Sequence, residues 1–428
     1  MRARFVSLGC KVNQYDTQAL EGIFAQHGFY AVPEGEAELV VVNSCTVTSL
    51  ADRKTRQLVR RLRREQPNAV LVLTGCMPQT APDEAATLTE ADIVSGTKDR
   101  QQLVSLVLDF FENRKRSVVI TPYDSKELFE PLSVNKFDES FQRAYLKIED
   151  GCDRFCAYCI IPYARGQVRS RPPGQILQEA QALIKTGYRE IVLTGINLSR
   201  YGSDIGLRLQ DAVRAAAQAD GNFRIRLGSV EPDLLSEDDW QQLADIDKLC
   251  PHFHLPLQSG CNATLARMNR RYTTTDFLNT VSLIRRLFSN PSITTDIIVG
   301  FPGETEEEFS ETCRTVESIG LLRAHVFEYS PRAGTPAADM PGQILPAIKK
   351  QRAKTLSDLC LASGIQFART QVGTTARVLL EATGGGYTDN YLYVNVLLQR
   401  QFVPGDFISV LLTTSSGATC SGVVTNCD

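Results

Sequence analysis

The chain has 428 residues, more than one hydrophobic core accommodates, so about two to four domains are expected. Its 43% hydrophobic and 22% charged content is that of an ordinary globular protein, and no apolar run of about eighteen residues suggests a membrane span. The net charge of −3 confers no general attraction to nucleic acid, although local basic patches remain open. Twelve cysteines and an N-terminus without an apolar leader point to a reducing cytoplasm, where thiols bind metal or react more often than they pair.

An α/β protein is expected. Residues 1–120 alternate strands with helices. Strands are predicted at ARFVSLG (3–9), ELVVVNS (38–44), AVLVLTG (69–75) and ADIVSG (91–96), and Leu20, Ile23 and Phe24 share one face of an intervening helix. Short apolar strands separated by helices predict a doubly wound parallel sheet. Residues 121–137 lie in a polar, irregular stretch with Pro122 and Pro131 and read as a linker. A second alternating run, 138–368, begins at AYLKIED (144–150). It continues through EIVLTG (190–195), FRIRLGS (223–229), HFHLPL (252–257), SITTDIIVG (292–300) and RAHVFEYS (323–330). Six such units predict a (β/α)6 partial barrel, closed by a helix-rich piece over 346–369. Residues 369–428 turn to short glycine-punctuated β segments, the profile of a small antiparallel β-barrel.

Within DGCDRFCAYCIIPYARG, Cys152, Cys156 and Cys159 form a C-x-x-x-C-x-x-C array. Three thiolates so spaced suit three irons of a 4Fe–4S cube and leave the fourth iron open to chemistry. Zinc is the competing reading, but a structural zinc wants four ligands, and the next Cys or His after Cys159 is Cys250. Cys10, Cys45 and Cys76 each follow one of the first three predicted strands. C-terminal strand ends of a parallel sheet share one ligand-binding edge, so topology alone would gather these thiols. The alternative is three buried core cysteines. Cys250, Cys261, Cys313, Cys360, Cys420 and Cys427 show no metal spacing and read as core or incidental residues. His254, at a strand end, faces a barrel mouth or packs.

Arg53, Lys54, Arg56, Arg60, Arg61, Arg63 and Arg64 follow one another with no acid among them. Helical spacing sets Arg53, Arg56, Arg60 and Arg64 on one side, either a phosphate rail or a solvated face.

LGCKVNQYD, NSCTVT, TGCMPQ, DGCDRFCAYCIIPYARG, HLPLQSG and DIIVGFPGET, in this order, resemble the radical S-adenosylmethionine methylthiotransferases over nearly the whole chain. KVNQYD and TVT are most similar to the branch that modifies threonylcarbamoyladenosine in tRNA. NSCTVT stands where NTCTVT is more usual, and TGCMPQ where TGCYAQ is. The resemblance implies an N-terminal methylthiotransferase domain, a radical-SAM core and a C-terminal TRAM domain, working with two 4Fe–4S clusters and S-adenosyl-L-methionine. Cys152, Cys156 and Cys159 would hold the cluster that chelates S-adenosylmethionine, whose one-electron cleavage gives methionine and a 5′-deoxyadenosyl radical. Cys10, Cys45 and Cys76 would hold the auxiliary cluster, where sulfur is methylated before transfer to carbon 2 of the adenine next to the anticodon.

By the same resemblance, Thr194, Gly195, Asn197, Ser229, Glu231, Asp296, Gly300 and Gly303 would contact the cofactor, and Phe155 and Tyr158 would shield the cluster. Implied partners are the tRNA anticodon loop, held in part by Arg53, Arg56, Arg60 and Arg64, a low-potential electron donor and a sulfur donor. A cytoplasmic monomer without membrane contact is expected. The competing substrates are isopentenyladenosine in tRNA and a ribosomal-protein aspartate. A competing class is an iron- or redox-sensing RNA-binding protein without turnover.

Overall fold

The computed structural model describes residues 1–124, 127–134, 142–381, 384–397 and 402–427. Parts of the expected linker, the first residues of the 138–368 run and parts of the expected β segments of 369–428 lie outside the described residues.

The first unit comprises β1 (Arg2–Ser7), α1 (Lys11–Gln26), β2 (Tyr30–Ala31), β3 (Leu39–Ser44), α2 (Ser49–Glu65), β4 (Val70–Gly75), α3 (Cys76–Thr80), α4 (Pro82–Ala86), β5 (Ile93–Ser95), α5 (Gln102–Asn113) and β6 (Ser117–Val119). All strands are parallel, in the order β2-β1-β3-β4-β5-β6. Val41 and Val72 pack with Leu20, Phe24, Val104 and Val107 on one face, while Val40, Val42, Leu71 and Leu73 pack with Val59 and Leu62 on the other. Cover on both faces explains the unbroken apolar runs of β3 and β4. The edge strands β2 and β6 are too short to carry a period, and sequence patterning does not announce them. Strand order reverses between β1 and β3, which makes that edge the topological switch point.

The expected linker is irregular but not free. Phe129, Leu132 and Val134 are buried. The Leu132 carbonyl accepts from Tyr15 Oη at 2.6 Å, and the Val134 amide donates to Glu179 at 3.1 Å. Its few apolar residues strap the first two units together.

The second unit comprises β7 (Arg143–Lys147), β8 (Glu149–Asp150), α6 (Ile161–Arg165), β9 (Arg169–Ser170), α7 (Pro173–Thr186), β10 (Glu190–Thr194), α8 (Leu209–Ala217), β11 (Arg224–Leu227), α9 (Glu237–Ala244), β12 (His252–His254), α10 (Asn262–Arg267), α11 (Thr274–Leu287), β13 (Ser292–Val299), α12 (Glu306–Ile319), β14 (Arg323–Glu328) and α13 (Pro346–Gln371). Parallel sheets β7-β10-β11 and β12-β13-β14 are joined by the bridges Ile225–Leu249 and Ser229–His254. The six strands thus form one open barrel. Leu146, Ile191, Leu193, Ile225, Leu227, Phe253 and Ile293 pack outward into a single core with the helices. The period of two then turns Lys147, Arg226, His254, Asp296 and His325 to the lumen.

β15 (Thr375–Leu380), β16 (Gly385–Thr388), β17 (Tyr393–Leu397), β18 (Phe407–Ser416) and β19 (Thr419–Cys427) close a barrel in the order β15-β16-β17-β19-β18. It is not wholly antiparallel. β17 and β19 pair parallel, because the chain runs through β18 before returning beside β17. The turn between β16 and β17 caps the N-terminal end of the partial barrel. Arg224 donates to Asp389 at 2.8 Å, Arg226 to the Asp389 carbonyl at 2.9 Å, and Tyr391 stacks on His252 with ring centroids 4.5 Å apart. Among the described residues, no helix is long and apolar enough to cross a membrane.

Candidate metal and cofactor site

Cys10 caps the start of α1, Cys45 follows β3, and Cys76 opens α3 directly after β4. The three strand ends are adjacent in the sheet, so topology gathers residues far apart in sequence. Gly9 lies at φ +106°, and a Cβ there would come within 2.5 Å of Cys45 Cβ and 2.7 Å of its Sγ. Only glycine allows that approach. Asn13 Nδ2 donates to the Leu8 and Ser44 carbonyls, both at 2.8 Å, and Ser44 Oγ donates to the Thr74 carbonyl at 2.7 Å. Buried amide and hydroxyl groups therefore fasten the three strand ends together.

The array occupies the loop between β8 and α6. Gly151, at φ +91°, lets the backbone pass where a Cβ would meet the Gln167 carbonyl at 1.9 Å. The Cys152 amide donates to the Gly166 carbonyl at 3.0 Å, and the Ala157 amide to the Met268 carbonyl at 2.9 Å. Arg270 Nη1 lies 3.2 Å from Cys156 Sγ and pairs with Glu231. Asn197 Nδ2 reaches Cys152 Sγ at 3.9 Å. Tyr158 is half-buried against the cluster of Ala157, Met268 and Phe301, whereas Phe155 is 49% exposed and packs on Tyr163. A cavity of about 430 Å³ bounded by Cys152, Phe155, Tyr163 and Tyr123 opens on that side.

Burial pushes the thiols of Cys76 and Cys159 up to about 12 and that of Cys152 up to about 11, and it raises Cys45 as well. Each trio reinforces this: the Cys45 and Cys10 charges raise Cys76, and the Cys156 and Cys152 charges raise Cys159. Crowded thiolates of this kind are stable only beside positive charge. Among the described residues, no three Cys, His, Asp or Glu side chains converge on a point that a single ion would share. Ligands of an iron–sulfur cube bind different corners and need no common point, so the donor set fits a cluster better than a lone zinc.

Arg165 connects the two trios. It sits on α6, just beyond the array, and is buried. It donates to Asn13 Oδ1 at 2.6 Å, to Asp16 at 3.0 Å and to both oxygens of Asp150 at 3.0 Å. Its charge acts on Cys76 and Cys45, and its Nε has no partner among the described residues. Lys147 and Arg100 complete a buried ion cluster around Asp16 at 2.5 and 2.9 Å. Arg165 and Asn13 are announced only by their places in IPYARG and KVNQYD; Arg270 carries no sequence signal.

The expected cofactor contacts divide into two groups. Thr194 ends β10. A Cβ on Gly195 would meet Glu149 Oε2 at 2.6 Å, and the Asn197 amide donates to that same oxygen at 2.7 Å. These residues and Glu231 adjoin the array, Ser229 lies at the β11–β12 bridge, and Asp296 pairs with His254 in the lumen at 3.2 Å. The glycine approaches are filled instead by the chain itself. A Cβ on Gly300 would meet Lys349 of α13 at 2.2 Å, and the Gly303 amide donates to the Gly342 carbonyl at 2.9 Å.

The basic run needs correction too. It forms α2, but acids from elsewhere neutralise much of it. Arg56 pairs with Glu84 at 2.5 Å, Arg60 with Glu90 at 3.3 Å and Arg63 with Asp92 at 2.5 Å. Of the proposed rail only Arg53 and Arg64 are exposed without an acidic partner among the described residues. Cys250, Cys261, Cys360 and Cys420 are buried, as core cysteines should be, whereas Cys313 is only half-buried.

Residues 146–316 match the radical SAM superfamily, and residues 2–96 match uncharacterized protein family UPF0004. A threonylcarbamoyladenosine tRNA methylthiotransferase of Bacillus subtilis is 37% identical over 404 residues, spanning 91% of this chain and 89% of the relative. A tRNA-2-methylthio-N(6)-dimethylallyladenosine synthase of Pelotomaculum thermopropionicum is 35% identical over 387 residues, spanning 88% and 86%. Among solved structures, the radical S-adenosylmethionine methyltransferase TsrM from Kitasatospora setae shares the fold with a TM-score of 0.59 at 17% identity, covering 79% of this chain and 77% of that one. Fold and site together define a radical S-adenosylmethionine enzyme. The chain belongs to the methylthiotransferase family within that class.

Proposed function

We propose that this chain transfers a methylthio group to carbon 2 of the adenine ring of N6-threonylcarbamoyladenosine next to the anticodon of tRNA. The observation that carries the reading is the junction of the two cysteine sites. The helix that begins at Cys76 packs on the helix that follows Cys159, and Arg165 touches the surroundings of both. Cys152, Cys156 and Cys159 would hold one 4Fe–4S cluster, and Cys10, Cys45 and Cys76 a second. When bound, these clusters and S-adenosylmethionine supply the radical and the sulfur that an unactivated adenine C–H bond demands.

The protein's own residues arrange the reactants and keep water away. Arg270 and Asn197 place positive charge and a donor beside the array thiolates, and Arg165 does so for the dispersed trio. Thr194, Gly195, Asn197, Ser229, Glu231 and Asp296 line the route from the array into the lumen, where S-adenosylmethionine and the base would meet. Gly300 and Gly303 shape the turn into α12 and the seat of α13. The adenine must leave its loop stack to enter, which favours a single-stranded anticodon loop over a duplex. A low-potential electron donor, a sulfur donor and a cytoplasmic setting complete this reading.

Nucleoside mass spectrometry of tRNA from cells lacking the gene tests it. Loss of 2-methylthio-threonylcarbamoyladenosine is expected. Loss of the methylthio-isopentenyladenosine signal instead would move the chain to the substrate of the synthases that it resembles almost as strongly. A sensor without turnover predicts no 5′-deoxyadenosine above a Cys152→Ala control under dithionite.

A further inference from the structure

We propose that the lumen floor is a carboxylate subsite, formed by Lys11 and Arg323 around Tyr391, which holds the threonyl carboxylate of the substrate base. This inference rests on the substrate reading above.

Most charges near the floor are already committed. Arg224 and Arg226 bind Glu190 at 2.7 and 3.0 Å, and Arg143 pairs with Glu381. His254 holds Asp296. Lys11 and Arg323 remain, both exposed and without a carboxylate partner among the described residues. Lys11 is the first residue of α1, yet the charged and phenolic groups that act on it belong to the other two units: Tyr391, Arg226, Arg143 and Glu190. His252 and His325 feel Lys11 in return.

Arg323 begins β14, where the alternation that packs Ala324 and Val326 outward turns Arg323, His325 and Phe327 inward. Its guanidinium lies 5.9 Å from the Tyr391 ring centroid. Tyr391 is held firmly, stacked on His252 at 4.5 Å and on Tyr387 at 4.7 Å. Its hydroxyl accepts from Arg143 at 3.2 Å, which leaves the phenolic hydrogen available as a donor. Two cations and a hydroxyl donor thus converge from three units of the chain.

A carboxylate satisfies all three with charge-assisted hydrogen bonds. A hydrocarbon substituent satisfies none and leaves desolvated donors unpaired, the kind of mismatch that polar sites reject strongly. A carboxylate also occurs on the methionyl end of S-adenosylmethionine, so the test separates the two sources.

The full chain, reconstituted anaerobically, is assayed on an anticodon hairpin bearing threonylcarbamoyladenosine and on the same hairpin with threoninamide in place of threonine. Wild type is expected to favour the carboxylate by about ten- to a hundredfold in kcat/KM. Lys11→Gln and Arg323→Gln should each lower turnover of the carboxylate hairpin and flatten this preference. RNA-free production of 5′-deoxyadenosine and the S-adenosylmethionine KM should stay at wild-type values. Arg323 is remote from every cysteine of the two trios in sequence, so its variant is informative even where Lys11→Gln disturbs the neighbouring Cys10. An undiminished preference in Arg323→Gln, or a raised S-adenosylmethionine KM in both variants, overturns the subsite alone. Wild-type turnover of neither hairpin overturns the substrate reading and the subsite with it.

Discussion

The two cysteine sites are built on opposite principles. Cys152, Cys156 and Cys159 ride on one loop, and that loop is braced from outside by Arg270, Asn197 and the Met268 carbonyl. Cys10, Cys45 and Cys76 stand on three strand ends of one sheet, braced from within by Asn13 and Ser44. From the other unit, Arg165 reaches the second site at Asn13, and Arg332 reaches it at Thr46 beside Cys45. A loop site keeps its spacing wherever the loop goes but depends on neighbours for its orientation. A sheet-edge site has its spacing set by strand separation and needs neighbours mainly to balance charge.

The sharpest way to break this contrast is to empty each site separately. Anaerobic reconstitution should load about eight irons per chain, from two four-iron cubes. Cys10→Ala/Cys45→Ala/Cys76→Ala should keep about half and still cleave S-adenosylmethionine, whereas Cys152→Ala/Cys156→Ala/Cys159→Ala should keep the other half and cleave none. Equal iron in parent and either triple variant would end the two-site reading.

Arg165 offers the next largest effect. Arg165→Leu leaves Asp16 and Asp150 buried beside too little positive charge, and it should cost about 3–5 kcal/mol of stability. Urea unfolding of the metal-free chain measures this. A loss below about 1 kcal/mol would mean that Lys147 and Arg100 alone sustain the junction.

The same junction should respond to acid. Burial alone would raise the Asp16 carboxyl, but Arg100, Lys147 and Arg165 outweigh it and hold the group below its usual value. A lowered carboxylate contributes stability that is complete above its unfolded pKa, near 3.9, and is lost as pH falls through the folded value. Urea midpoints should therefore drop below about pH 4 in the wild type and drop less steeply in Asp16→Asn, where Asp150 and Glu190 still lose their lowered carboxylates. An identical acid limb in both proteins would remove Asp16 from the account.

The smallest effect expected is on RNA binding by α2. Arg53→Ala and Arg64→Ala should each reduce the salt dependence of tRNA binding by about one phosphate contact. Arg56→Ala and Arg60→Ala, whose side chains already pair with Glu84 and Glu90, should change it less. Equal slopes for all four would restore the full rail.

What the amino-acid sequence determines unaided is local or periodic. The spacing of Cys152, Cys156 and Cys159 lies within one loop, so no folding step is needed to see it. Apolar strands such as LVVVNS and VLVLTG, buried on both faces, mark a parallel sheet by composition alone. That Cys10, Cys45 and Cys76 follow the first three predicted strands is also legible, because a parallel sheet aligns strand ends. Tertiary structure decided the rest. Arg165 links the cysteine sites, acids from α4 and the loop after it neutralise half of the α2 rail, and the Tyr391 turn closes the barrel floor. Each of these joins residues that share neither a helix face nor a strand. Electrostatic pairing acts through space and leaves no period along the chain, so only the folded arrangement shows which charges meet.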